Sequence, residues 1–262
     1  MLDERLAATP RAQRALAKLT DRSLNFDPAA LDHAGEHNGW HVDDYRMQLP
    51  SEGPGEPVPG ASFEVARQLM CDYAFADPKI VHAVYDPAAG LANRNMLLQA
   101  RFGPLRLYVG CRVGAIVDDA RTVDGRPVRV WGWSYGTLEG HFERGRMDYA
   151  VWKWLDDGAV EFRIHVVSQR AKVGNPIVRL GFRLVGRREQ QRFARRACER
   201  MGELVARELQ RGGGAGGGGS APADEGGAAQ LRGEGRALAQ QRAVGDGDEG
   251  DLSAPHPEQH PA

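Results

Sequence analysis

The sequence predicts an α+β protein: a curved antiparallel β-sheet gripping a long C-terminal α-helix, with a disordered C-terminal tail. Three observations carry this. Between Ile80 and Ser168, short runs rich in β-branched and aromatic residues alternate with turn signals, as successive antiparallel strands do. From Pro176 onward the period is helical, with Phe193, Ala197, Met201, Leu204 and Val205 recurring at spacings of three and four. After Arg211 the chain reads GGGAGGGG and then Ala, Gly, Asp, Glu, Gln and Pro, with too few large apolar residues to offset the entropy of ordering. The 262 residues divide into an arm (1–39), a sheet-and-helix domain (40–211) and a tail (212–262).

The elements follow in order. Residues Leu2 to Leu19 are helical in pattern but carry Pro10, which makes them either a broken helix or a partly ordered arm. Trp40 to Leu49 supplies a first strand, and SEGPGEPVPG, Ser51 to Gly60, is a loop. Ser62 is the expected N-cap of a helix with Phe63, Ala66, Leu69, Met70 and Tyr73 on one side, ending before Asp77-Pro78. Strands are expected at Ile80–Tyr85, Asn95–Phe102, Leu105–Val117, Val128–Leu138, Met147–Leu155 and Val160–Ser168. Asp124-Gly125 and Asp156-Asp157-Gly158 mark hairpins. A pairing of Lys153 with Glu161 puts Trp152 and Trp154 on the face of Val160, Phe162 and Ile164, and Tyr149, Arg163 and His165 on the other.

A net charge of −1 hides an asymmetry. From Ser220 onward eight carboxylates stand against three arginines, which leaves that segment at −5 and the preceding body at +4. Thirteen cationic residues lie between Arg163 and Arg211, among them Arg192, Arg195 and Arg196 on the polar side of the terminal helix. An anionic membrane surface or nucleic acid is the partner such a face suggests, and a solvated helix face is the plainer reading. Cys71, Cys111 and Cys198 are odd in number and lack C-x-x-C spacing, which suits free thiols in a reducing cytoplasm. No apolar stretch approaches the roughly 18 residues of a membrane-spanning helix.

Gly132-Trp133-Ser134-Tyr135-Gly136 matches the G-x-S-x-G nucleophile elbow of serine hydrolases. The strand half of an elbow is present, but the glycines at 136, 140 and 145 disfavour the helix that must follow. In an extended chain Ser134 shares a face with Gly132, Gly136, Leu138 and Gly140. The opposite face carries Trp133, Tyr135, Thr137, Glu139, His141 and Glu143, so Ser134 and His141 point apart. That second row offers donors, acceptors and stacking surface, as ligand sites do. The competing expectation is that it meets solvent or caps a hairpin. His33, His37 and His41 have helical spacing for a metal, but Gly35 and Gly39 between them make a helix poor, so no metal site is assigned. Neither a Walker motif nor a dinucleotide fingerprint is present, and no cofactor is assigned.

Tyr135-Gly136-Thr137-Leu138, followed by Gly140-His141, Glu143 and Gly145, resembles the signature of the domain of unknown function family DUF1990. Asp77-Pro78 to Val84-Tyr85 and the basic helix from about Pro176 resemble that family too, so the likeness covers Phe63 to Val205. The chain departs from the pattern at Ser134, Phe142 and Arg146-Met147. The resemblance implies the helix-grip architecture of the birch-pollen-allergen and START-like superfamily, with room for an apolar cavity between sheet and helix, and it implies no established reaction. The leading expectation is a small, largely apolar ligand contacted by Trp133, Tyr135, Thr137, Glu139 and His141. The first alternative is a basic-helix module docking through Arg192, Arg195 and Arg196. The second is a serine hydrolase using Ser134.

Overall fold

The computed structural model describes residues 4–102, 105–171 and 176–214. The expected disordered tail falls outside the described residues from position 215 onward. One seven-stranded antiparallel sheet is built from β1 (His41–Leu49), β2 (Val81–Val84), β3 (Asn95–Phe102), β4 (Leu105–Val123), β5 (Arg126–Thr137), β6 (Glu143–Trp154) and β7 (Val160–Arg170). Its spatial order is β1-β7-β6-β5-β4-β3-β2. Neighbours in sequence are neighbours in space throughout, except that β1 closes the sheet against β7, with His41 opposite Ser168 and Leu49 opposite Val160. The helices are α1 (Glu4–Ala7), α2 (Pro10–Ala17), α3 (Ser62–Cys71) and α4 (Pro176–Gly214). Helix α4 packs on β1, β7 and α3, which is the helix-grip arrangement. No helix among the described residues is long and apolar enough to cross a membrane.

The broken first helix resolves into α1 and α2, with Thr9 accepting from the Ala12 N–H at 3.3 Å and Pro10 opening α2. Asp124 and Gly125 both take left-handed φ, 51° and 77°, as the centre of a two-residue hairpin turn requires. Ser62 is not the N-cap: it is the first residue of α3, and Ala61 holds the cap position. Strand β4 outruns its apolar pattern, because Asp118 to Val123 pair with Arg126 to Trp131 while remaining largely exposed. A register shift between Val113 and Ile116 bends it, leaving Ile116 and Val117 among the exposed apolar side chains.

The expected register of β6 and β7 is wrong by one residue. Lys153 faces Val160 and Trp152 faces Glu161. The loop closes one residue shorter, because the Trp154 N–H donates to the Ala159 carbonyl at 2.9 Å and the Gly158 N–H to Trp154 at 2.9 Å. A slip of one residue exchanges the faces of a strand. Trp152 and Trp154 therefore lie outside with Glu161, Arg163 and His165, and Tyr149 and Val151 lie inside with Phe162 and Ile164. Guanidinium groups cover the outward indoles: Arg163 is 3.8 Å and Arg121 4.8 Å from the Trp152 ring centre, and Arg126 is 4.5 Å from Trp154.

The slip also turns Lys153 inward, where its side chain has 0% exposure. Its ammonium lies 2.6 Å from Glu52 Oε2 and donates to the Glu56 carbonyl at 2.9 Å. The other Glu52 oxygen accepts from the Phe63 N–H at 2.6 Å. A loop read only as turn residues is thereby fixed across one end of the core.

The core fills the concave face. Phe75 and Trp133 lie 4.7 and 5.0 Å from Tyr149, ring centre to ring centre, and Phe193, Ala197, Met201 and Val205 of α4 close over this cluster. On the convex face Ala12 and Leu19 of the arm pack on Val84, Leu97 and Leu138. His33 and His37 lie in two separate 3-10 turns, Pro28–His33 and Glu36–Asn38, and His41 opens β1. No metal-binding cluster of His, Cys, Asp or Glu occurs among the described residues.

Candidate functional site

Strand β5 delivers Trp133, Tyr135 and Thr137 to the concave face, because alternate residues share a face. The regular alternation expected to run on to Glu143 ends at Leu138. Gly140 takes φ +86° in the turn, and the His141 N–H closes on the Leu138 carbonyl at 3.0 Å. Glu139 and Gly140 are left exposed, while His141 returns to the interior. Glu143 then opens β6 on the same side.

Two adjacent cavities meet these residues. One, of about 90 Å³, lies between the sheet and the Gly186–Phe193 stretch of α4, with Ile80, Leu98, Val109, Phe142, Met147 and Phe193 as apolar walls. The second, of about 60 Å³, is polar and reaches Thr137, Ser168 and the Gly145 backbone. Tyr135, His141, Glu143, Met147 and Gln190 line both and so stand between them. Of the five residues expected to contact a ligand, Tyr135 and His141 line the apolar cavity and Thr137 only its polar neighbour. Trp133 lies deeper, in the aromatic core, with its indole N–H buried and unpartnered. Glu139 stands outside both.

Each polar group here has a defined state. His141 Nδ1 accepts from the Glu143 N–H at 2.9 Å, and burial lowers the imidazole pKa to about 4, so the ring is neutral at pH 7. Burial raises the Glu143 carboxyl to about 7, against the opposing pull of Arg187 and Arg170. Its Oε2 accepts from the Gln190 amide at 3.2 Å, and Gln190 Oε1 is fixed in turn by Arg187 at 3.1 Å and Ser168 at 3.3 Å. Burial pushes the hydroxyl pKa values of Tyr135 and Tyr149 far upward, so both stay protonated. Tyr149 Oη lies 2.8 Å from Met147 sulfur and 3.5 Å from Tyr135 Oη.

Thr137 is occupied structurally. Its hydroxyl donates to Asn25 Oδ1 at 2.6 Å and accepts from the Gly145 N–H at 2.9 Å. The Glu139 N–H bonds the Ser23 carbonyl at 3.0 Å, and Asn25 Nδ2 bonds the Glu143 carbonyl at 2.8 Å. Gly145, at φ +142°, has no room for a side chain: a Cβ would come within 2.0 Å of the Val167 carbonyl oxygen. Much of the Thr-Gly-His-Glu-Gly spacing thus shapes a hairpin and binds the N-terminal arm to it.

Ser134 lies on the convex face, in the floor of a groove of about 430 Å³ that also holds Asp44, Gly132, Asp148, Ala150 and His165. It stands in mid-strand, since β5 runs on to Thr137, so the sharp strand-to-helix turn of an elbow is absent. Asp148 is its cross-strand neighbour, and His165 is the neighbour of Asp148. Two inter-strand steps, roughly 10 Å, separate the serine from that histidine, too far for proton transfer.

The arginine face of α4 is partly neutralised. Arg196 binds Asp77, Glu199 and Glu203 at 3.0, 3.1 and 2.9 Å, and Arg192 binds Glu189 at 3.3 Å. Arg195 has no carboxylate partner among the described residues; it bonds only Gln191.

Residues 29–200 match the family described as Domain of unknown function (DUF1990). The chain belongs to this family. The matched span contains the whole sheet and both cavities. No curated protein matches the sequence. Among solved structures the chain is similar to Ara h 8.0201, at 12% identity over 64% of this chain and 99% of that one, with a TM-score of 0.37. It is also similar to the protein TTHA0849 from Thermus thermophilus, at 11% identity over 64% and 98%, TM-score 0.40. Human STARD10 matches at 10% identity over 78% and 84%, TM-score 0.32.

Two residues of the cavities were not among the expected ligand contacts. Glu143 stood in the alternating row and in the family signature without a role of its own, and Gln190 in a helix read for its arginines. The fold brings them together, the Gln190 amide donating to Glu143 at 3.2 Å.

Proposed function

We propose that this helix-grip domain binds a small, largely apolar molecule in the cavity beneath α4. The observation that carries the reading is one space with apolar walls and a polar end, reached by Tyr135 and His141 from β5 and its turn. Its volume of about 90 Å³ limits the occupant. An engineered cavity of about 150 Å³ accepts benzene, so this one suits a short alkyl chain or the end of a longer ligand. The partly exposed Val81, Arg101 and Glu189 rim it, which gives a longer ligand a way out between the β2–β3 edge and α4. Three free thiols suit a reducing compartment such as the cytoplasm.

Titration with 1-hexanol tests the reading. Binding is expected to raise Tm, and Val109→Phe, which fills the cavity, is expected to abolish the shift while leaving the circular dichroism spectrum unchanged. Equal shifts in the wild type and a folded Val109→Phe protein contradict it. Docking through Arg192, Arg195 and Arg196 has less support, because carboxylates of the same domain already hold two of the three.

A further inference from the structure

We infer that the polar end of this cavity is a hydrogen-bond donor site, and that through the Tyr135 hydroxyl and the His141 Nε2–H it selects a neutral carbonyl oxygen, that of a ketone, aldehyde or ester on a short alkyl body. This assignment rests on the cavity being a ligand site and adds the chemistry of the ligand's head.

Tyr135 shares the concave face with Trp133 and Thr137, and its Oη lies 3.6 Å from the sulfur of Met147, a residue that also lines both cavities. A thioether is a weak acceptor. Tyr149 aims its own hydroxyl at the same sulfur, 2.8 Å away, so Tyr135 is the worse placed of the two donors. An oxygen entering the cavity offers the Tyr135 proton a better partner. In His141, Nδ1 accepts from the Glu143 N–H, so the proton of the neutral ring sits on Nε2. Nε2, on the far edge of the buried ring, has no hydrogen-bond partner among the described residues and is not sealed by surrounding atoms, and the ring lines both cavities.

The other polar groups are committed. Gln190 Oε1 accepts from Arg187 and Ser168, its amide donates to Glu143 Oε2, and Glu189 on the rim is held by Arg192. The Tyr73 phenol belongs to the same hydroxyl cluster as Tyr135 and Tyr149. Burial keeps Glu143 largely protonated up to about pH 7, so an ammonium head finds no free carboxylate there. A carboxylate head finds no free cation: Arg187 is held by Asp43, and the β3 register turns the Arg101 side chain to the face of Leu97 and Gln99. An alcohol must place a proton as well as accept one. A carbonyl needs only donors, and it is far less costly to strip of water than an ion.

The test compares six-carbon probes that differ in their heads. 2-Hexanone, 2-hexanol, the ammonium of 2-aminohexane and hexanoate are titrated into the full chain at about pH 6, with Kd read from NMR chemical shifts. 2-Hexanone is expected to bind at least about three-fold more tightly than 2-hexanol, and both ions more weakly than either. The carbonyl stretch of bound, 13C-labelled 2-hexanone, read by infrared difference spectroscopy, is expected at lower frequency than in hexane. Tyr135→Phe and His141→Leu are each expected to raise that frequency and to weaken the ketone about three-fold or more, with a smaller effect on 2-hexanol.

A smaller ketone preference, or a stretch that neither variant moves, overturns the donor site while leaving the cavity reading intact. Tightest binding of hexanoate overturns it in favour of an anion, and tightest binding of the ammonium in favour of Glu143 as an acceptor. Failure of all four probes to bind overturns both readings. If His141→Leu is unfolded, the stretch in Tyr135→Phe decides: no rise from the wild-type frequency counts against the donor site.

Discussion

The two faces of the sheet treat charge in opposite ways. On the convex face, charged residues pair with one another near water, Arg146 with Asp148 at 3.0 Å and Arg163 with Glu161 at 2.7 Å, and the His165 ring lies 2.9 Å from Asp44. On the concave face few ionisable groups are present, and they divide into two kinds. Lys153 and Glu52 are sealed and fully paired, whereas Glu143 lines a cavity without an ion pair among the described residues. The convex groove is larger, but its charges satisfy one another. The smaller concave cavity is where polar groups lack charged partners, and that marks it as the better candidate for a ligand.

Breaking the sealed pair should have the largest effect. Lys153→Met leaves Glu52 buried without its cation and is expected to cost about 3–5 kcal/mol in denaturant unfolding. Gly145→Ala forces a side chain into a left-handed position against the Val167 carbonyl, and about 3 kcal/mol is expected. On the convex face Arg146→Ala should cost less than about 1 kcal/mol, and that loss should shrink with salt. Arg101→Met should be neutral or stabilising by up to about 1 kcal/mol, because the buried Nε has no partner to lose. A clear destabilisation at Arg101 would place it among the paired, structural cations.

Acid and base at the cavity end sharpen the contrast through pH. Glu143 has a folded pKa of about 7, above its ordinary 4.5, so the folded state holds the proton more tightly and stability falls as pH rises from 4.5 to 7. His141 has a folded pKa of about 4, below its ordinary 6.5, so the unfolded state holds the proton more tightly and stability rises over pH 4 to 6.5. The two slopes oppose one another in the wild type. Glu143→Gln should expose the rising slope and His141→Asn the falling one, in unfolding curves collected from pH 4.5 to 6.5. Unchanged slopes in both variants would show that these groups are not held as described.

Much of the fold was legible because its signals are local. Period-two runs, Asp124-Gly125 and the apolar stripe of Phe193, Ala197, Met201 and Val205 each report their own surroundings. The β6–β7 register was not legible, because a loop one residue shorter exchanges Trp152 for Val151 and turns Lys153 inward, and no local propensity counts that residue. The row on β5 was half legible. Alternation placed Tyr135 and Thr137 correctly on one face, but it carried on through the Gly140 turn, which exposes Glu139 and returns His141. Gln190 was illegible, since its meeting with Glu143 depends on α4 packing over the start of β6. The glycines of the signature were visible as a motif, but their cause, the Val167 carbonyl against Gly145 and the arm held by Thr137, is long-range.

Methyl-resolved NMR during a 1-hexanol titration tests the central claim most directly. The cavity account predicts saturable shifts at Ile80, Leu98, Val109 and Met147 on the concave face, with Val42, Val117 and Val130 unmoved. Shifts confined to the convex set, or none at saturating 1-hexanol, would contradict it.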